Sequence, residues 1–130
     1  MEAKFKFEKL IVWQNAMELG ENINNISNSF PPKEIYNISS QIRRASDSIA
    51  LNIAEGSIGQ SNAEYKKFLG YAIRSLAEVI TCLHKAYKRL YINKNEFDDL
   101  YNYSYNLMNM LVALKKKIVY ELKSTARLTK

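Results

Sequence analysis

Gln41-Ile-Arg-Arg-Ala-Ser-Asp-Ser-Ile-Ala-Leu-Asn-Ile-Ala-Glu-Gly56 decides the fold class. Ile35, Ile38, Ile42, Ala45, Ile49, Asn52 and Gly56 recur at alternating steps of three and four, the spacing that lines one side of an α-helix. Ser46, Ser48, Ala50 and Ala54 lie between those rungs and are small enough for a neighbouring helix to come close. Gly56 is the residue type that most easily takes the left-handed conformation closing a helix. The segment therefore predicts the central helix of a helical bundle. Asn52, on the seam, must find hydrogen-bond partners and would fix register between helices or anchor the loop. Glu55 meets the negative end of the helix dipole and calls for a partner, a cation or the backbone N–H groups of the 56–61 loop. Arg43 and Asp47 are four apart and spaced to pair across one turn.

Upstream, Val12, Ala16, Leu19, Ile23, Ile26 and Phe30 alternate four and three and predict a first helix over about 10–29. Leu10, Trp13 and Met17 form a second patch at least a quarter-turn away, at about 100° per residue. Either Phe5, Phe7 or the next helix covers that patch, or Trp13 sits in a subunit interface, where Trp is enriched. Ser29-Phe-Pro-Pro-Lys-Glu34 breaks this helix and opens the second, over 33–55, since proline is tolerated in a first turn but not in a helix interior.

Downstream, Ser61 and Glu64 have capping-box spacing. Tyr65, Leu69, Ala72, Leu76, Val79, Leu83, Ala86 and Leu90 then keep the alternation without a miss, giving a third helix over 62–91. Asn93 or Asn95 caps a fourth over 95–123. That helix carries two adjacent rows: Phe97, Leu100, Ser104, Leu107, Leu111, Leu114 and Ile118, then Tyr101, Tyr105, Met108, Val112 and Val119, with Lys115 interrupting the second. Together they span half the circumference, wider than the arc of about 100° that one core needs. Trp13, Tyr101, Tyr105, Met108 and Val112 are therefore the candidate oligomer interface. The expected fold is all-α: one domain, residues 1–130, an antiparallel up-down-up-down four-helix bundle with left-handed 3-4 packing and a loose basic tail at 124–130.

Composition narrows the function classes. No run of eighteen apolar residues exists to span a membrane, and Met1-Glu-Ala-Lys-Phe-Lys is not followed by the apolar core of a signal peptide. The lone cysteine, Cys82, suits a reducing compartment, so the expected location is cytoplasmic. The net charge of +6 is uneven: residues 115–130 hold six Lys or Arg against Glu121. Cys82 and the one histidine, His84, are two apart on a helix and point in different directions, so they do not share a metal. No HExxH, CxxC, phosphate loop or nucleophile elbow occurs. The expectation is a non-enzyme with no catalytic residue, metal or cofactor.

The basic side chains are the remaining candidates. Lys67, Arg74, Lys85 and Lys88 project within a band of about 60° roughly opposite the third helix's apolar seam, interrupted by Glu78. Arg43, Arg44 and the run Lys115, Lys116, Lys117 add to them. Such a face is ordinary solvation in one copy, but a ring of copies repeats it, and phosphate contacts add steeply with number. Tyr71, Tyr87 and Tyr91, interleaved with the cations, either pack the core or stack on bases.

"FEKLIVWQNAMEL" at 7–19, "FPPKEIY" at 30–36, "QIRRA" at 41–45, "SIALNIAEG" at 48–56 and "S..EYKKFL" at 61–69, in that order, resemble the four-helix bundle protein family encoded by intervening sequences in bacterial 23S ribosomal RNA genes. The resemblance runs from about Phe7 to Ile92. Arg74 stands where the family pattern usually has Gly before Ser75. The resemblance implies a ring-shaped homo-oligomer, a pentamer, with no known catalysis. The chain is also similar to accessory proteins of diversity-generating retroelements, which implies RNA or DNA and a reverse transcriptase or other protein as partners. Two functions follow as expectations: a non-enzymatic accessory protein binding RNA or DNA backbone, or a protein–protein scaffold that binds no nucleic acid.

Overall fold

A computed structural model describes residues 1–128 and, among them, contains helices and no strand. The four helices are α1 (Ile11–Ser27), α2 (Ile38–Ser57), α3 (Asn62–Lys88) and α4 (Lys94–Leu128), with short 3-10 turns at Lys6–Lys9 and Pro32–Glu34. α1 packs on α2 and α4, and α3 on α2 and α4, so the diagonal pairs stay apart. One core runs through the bundle. Leu19, Ile23, Ile42, Ile49, Ile53, Leu69, Leu76, Leu83, Leu107 and Leu111 are all fully buried in it.

α2 begins later than the proline signal suggested. Pro32–Glu34 makes a separate turn, Asn37 leaves helical geometry (φ −126°, ψ −110°), and regular helix starts at Ile38. Ile35 is therefore 53% exposed and off the seam. The seam also drifts: after Ile49 the buried position is Ile53, not Asn52. Asn52 is half-buried and donates to the Ser48 carbonyl of its own helix (2.8 Å). Among the described residues it carries no register bond to another helix.

Gly56 has no positive φ, and α2 passes through it to Ser57. The requirement there is space. A Cβ on Gly56 would lie 2.8 Å from Phe68 Cβ and 3.1 Å from Tyr65 Cδ1. Two turns earlier the Ser48 and Ser75 hydroxyls bond to each other, so α2 and α3 approach closely along small residues.

α3 keeps its predicted seam from Leu69 to Ala86, all buried. It ends in a Schellman arrangement: Leu90 N–H donates to the Tyr87 carbonyl (3.0 Å) and Tyr91 N–H to the Ala86 carbonyl (2.9 Å). Leu90 takes the left-handed conformation (φ 63°), which swings its side chain out to 86% exposure; Ile92 re-enters the core instead. α4 opens with a capping box on Asn93, whose Oδ1 accepts from Glu96 N–H (2.8 Å) while Glu96 Oε1 accepts from Asn93 N–H (2.9 Å). The helix continues to Leu128, beyond the expected end at 123; positions 129–130 of the expected tail lie outside the described residues. At about 1.5 Å per residue its 35 residues span roughly 52 Å. Within α4's buried row, Ser104 Oγ has no hydrogen-bond partner among the described residues.

Candidate functional site

The two rows of α4 separate as the bundle closes. Leu100, Leu107, Leu111 and Ile118 face the core, while Val112, Lys115 and Val119 line the outer groove beside α3, and Tyr101, Tyr105 and Met108 continue the same stripe of α4. Tyr101 stays 38% and Tyr105 58% exposed, and Met108 and Val112 are half-buried.

At one end of this groove is a cavity of about 470 Å³ lined by Lys66, Lys67, Gly70, Tyr71, Ile73, Arg74, Lys115 and Leu122, with Ala63 at its edge. An adjoining hollow of about 450 Å³ shares Ile73 and Lys115 and adds Val112, Lys116 and Val119. No carboxylate lines either. Among the described residues no ion pair reaches Lys66, Lys67, Arg74, Lys115 or Lys116, the ion pairs being Arg89–Glu34 and Lys94–Asp98. Like charges gathered without counter-charges attract an anion, because each adds to one local potential. Lys115, which broke the apolar row in sequence, crosses the gap towards α3: its Nζ lies 3.5 Å from where a Cβ on Gly70 would be. Lys67 sits over the Tyr71 ring (5.9 Å), an exposed cation–π pair.

Of the nine basic residues singled out in sequence, the groove gathers Lys67, Arg74, Lys115 and Lys116. Arg44, Lys85, Lys88 and Lys117 are exposed elsewhere and line neither hollow. Arg43 is corrected. It does not pair with Asp47; its Nε donates to Ser27 Oγ (2.7 Å) and its Nη2 to Asn28 Oδ1 (3.2 Å). There its charge meets the negative end of the α1 dipole, a structural duty within the subunit. Lys66 was missed, since it lies on the α4-facing side and not in the outward band. The periodic signal was available: Lys66, Gly70, Ile73 and Ala77 step by four, three and four.

Glu55 is exposed, and the loop bond expected of it belongs to Glu64, whose Oε2 accepts from Gln60 N–H (3.1 Å). Cys82 is buried, and burial, followed by the nearby Glu78 charge, pushes its thiol pKa up. His84 is exposed, its ring edge against Phe97 (5.1 Å) and Tyr101 (5.8 Å). The Trp13 patch is partly covered by Phe7 (5.3 Å), and it lines a hollow of about 420 Å³ between α1 and α2 with Met17, Ala50, Leu51 and Ala54. Trp13 and the α4 tyrosines thus lie in different grooves. Tyr71 stands in the basic groove, Tyr87 stacks on Phe97 (4.8 Å), and Tyr91 belongs to a buried polar cluster.

That cluster was not foreseen. Glu34 is buried and accepts from Tyr91 Oη (2.7 Å), Arg89 Nη1 (3.0 Å) and Asn37 Nδ2 (2.9 Å). The Tyr91 and Asn37 hydrogen bonds, then the Arg89 charge, hold its carboxyl below the usual 4.5. It ties the start of α2 to the end of α3, and nothing local in sequence announces a partner 55 residues away.

Among the described residues no group of His, Cys, Asp or Glu is arranged to hold a metal ion, and no helix is long and apolar enough to cross a membrane. Residues 8–113 match the 23S rRNA-intervening sequence protein family. No curated protein matches the chain. Among solved structures the chain is similar to a crystal structure of a protein with unknown function from the S23 ribosomal protein family of Bacteroides thetaiotaomicron. The two share 24% identity at a TM-score of 0.75, over 82% of this chain and 96% of that one. That likeness concerns the fold.

Proposed function

This chain belongs to the 23S rRNA-intervening sequence protein family, and we propose that it is a non-enzymatic, cytoplasmic accessory protein that binds the RNA or DNA backbone along the groove between α3 and α4. The observation that carries the reading is Lys66, Lys67, Arg74 and Lys115 lining one hollow that contains no carboxylate. The mechanism is electrostatic. Cations replace condensed counterions on the phosphates, which gives affinity with little base readout and a steep dependence on salt. The four-residue link from α2 to α3 and the five-residue link from α3 to α4 support an antiparallel, up-down-up-down course. Assembly as a ring-shaped homo-oligomer would repeat the groove in every copy.

Titration of labelled RNA and DNA tests this. Four phosphate contacts correspond to a slope of roughly −3 to −4 in log affinity against log salt, or about 50- to 150-fold weaker binding between 50 and 200 mM. Changing Lys66, Lys67, Arg74 and Lys115 together to Glu should abolish that dependence while the helical spectrum stays unchanged. Unchanged affinity in the variant would overturn the assignment of this groove.

A second reading, a protein-directed scaffold, draws on the hollow between α1 and α2. Met17 and Leu51 remain exposed beside half-buried Trp13 there, an apolar surface suited to a second copy or another protein. Light scattering at micromolar concentration tests it, and a monomer would count against assembly through this face.

A further inference from the structure

We infer that the α3–α4 groove takes single-stranded nucleic acid, with unpaired bases stacked on the rings at its far end; this rests on the backbone-binding reading above. On α4, Lys115, Val112, Met108, Tyr105 and Tyr101 follow at steps of three and four along one stripe. The fourteen steps from Lys115 to Tyr101 cover about 21 Å. Cations therefore occupy one end of this stripe and rings the other.

The rings are built as a platform. Tyr87 stacks on Phe97 (4.8 Å, 17° between planes), and Phe97 on Tyr101 (5.5 Å, 29°). His84 buttresses both Phe97 and Tyr101 edge-on. Tyr87 and Phe97 are half-buried, whereas Tyr101, Tyr105 and His84 face solvent. A base laid on Tyr101 would extend an existing stack and immobilise little that is still free. Paired bases inside a duplex cannot turn their faces outward to such a surface, while those of a single strand splay and stack on aromatic side chains. The charge at the Lys66–Lys115 end selects a polyanion, and the rings select an unstacked one.

The experiment is fluorescence anisotropy with a strand of about 12 nucleotides, within the ~4–16 that comparable sites span. It uses the strand, its duplex and a strand of equal length with abasic positions. The expected result is tighter binding of the intact strand than of the other two. Tyr101→Ala with Tyr105→Ala should lose about fivefold or more on the intact strand, the lower end of what stacking one base contributes. It should lose nothing on the duplex and keep the salt slope, while Tyr101→Phe with Tyr105→Phe retains full affinity. Equal affinity for intact and abasic strands would overturn the inference, as would an alanine variant that binds like the wild type. A changed mass of that variant by light scattering would also overturn it, making the rings a contact between copies. Failure of the backbone reading looks different: the Lys66/Lys67/Arg74/Lys115 charge reversal would then leave every affinity where it was.

Discussion

Replacing Gly56 by alanine sets two known effects against each other. Alanine is favoured over glycine in a helix interior by about 1 kcal/mol, and Gly56 lies inside α2. Against that, the new methyl would stand 2.8 Å from Phe68 Cβ, with the Tyr65 backbone at 3.5 Å behind it. Neither is the loose end of a flexible side chain, so α3 itself must shift, and overpacking of that kind costs about 1–3 kcal/mol. The net expectation is a loss of roughly 1 kcal/mol. Gly20 in α1 supplies the control, because a Cβ there meets only Asp47 Oδ1 at 3.9 Å. Gly20→Ala should gain about 1 kcal/mol from the same propensity term. For a chain of this size, about 3–5 °C per kcal/mol places the two variants roughly 6–10 °C apart on opposite sides of the wild type. Thermal melts followed by circular dichroism, at one fixed protein concentration, read this directly. A Gly56→Ala protein melting as high as Gly20→Ala would refute the close approach of α2 and α3.

Three further outcomes follow from the same structure. Glu34 has a depressed folded-state pKa, so it binds its proton less readily when folded; its contribution is present above the usual 4.5 and is lost as pH falls through the lower folded value. Urea midpoints should therefore drop on acidification below about pH 4.5 more in the wild type than in Glu34→Gln, and parallel pH profiles would disprove the clasp. Leu90→Gly should raise stability by about 0.5–1 kcal/mol, because relief of the left-handed strain exceeds the added entropy of the unfolded chain; a lower urea midpoint would contradict this. Ser104→Ala, which removes a buried hydroxyl without a partner among the described residues, should gain about 1 kcal/mol by the same assay, and a loss would reveal a bond to Ser104 Oγ.

Periodicity carried the fold a long way, and its failures have physical causes. The α3 seam from Leu69 to Ala86 was legible because one buried face selects large apolar residues at helical spacing. It failed at Leu90, where backbone bonds to the Ala86 and Tyr87 carbonyls, not side-chain pattern, end the helix. Asn52 was misread because a straight helix turns every 3.6 residues, so a strict alternation of three and four slips by one position and Ile53 enters the core. The Glu34 clasp and the duty of Arg43 towards Ser27 join distant or adjacent elements through polar atoms, about which amphipathic spacing says nothing. The groove was half legible. Lys67, Arg74 and Lys115 stood out by charge, but Lys66 gains its meaning only once α4 is known to flank that side of α3.

The tight α2–α3 approach at Ser48, Ser75 and Gly56 also bears on the order of folding. Those two helices are joined by four residues, so their contacts are local and their loop closes at little entropic expense. The seam between α1 and α4 joins the opposite ends of the chain and must wait for everything between them. A nucleus of α2 and α3 is thus expected to form early, with α1 and α4 closing late. Substitutions at the first seam should then slow refolding, and those at the second should chiefly hasten unfolding.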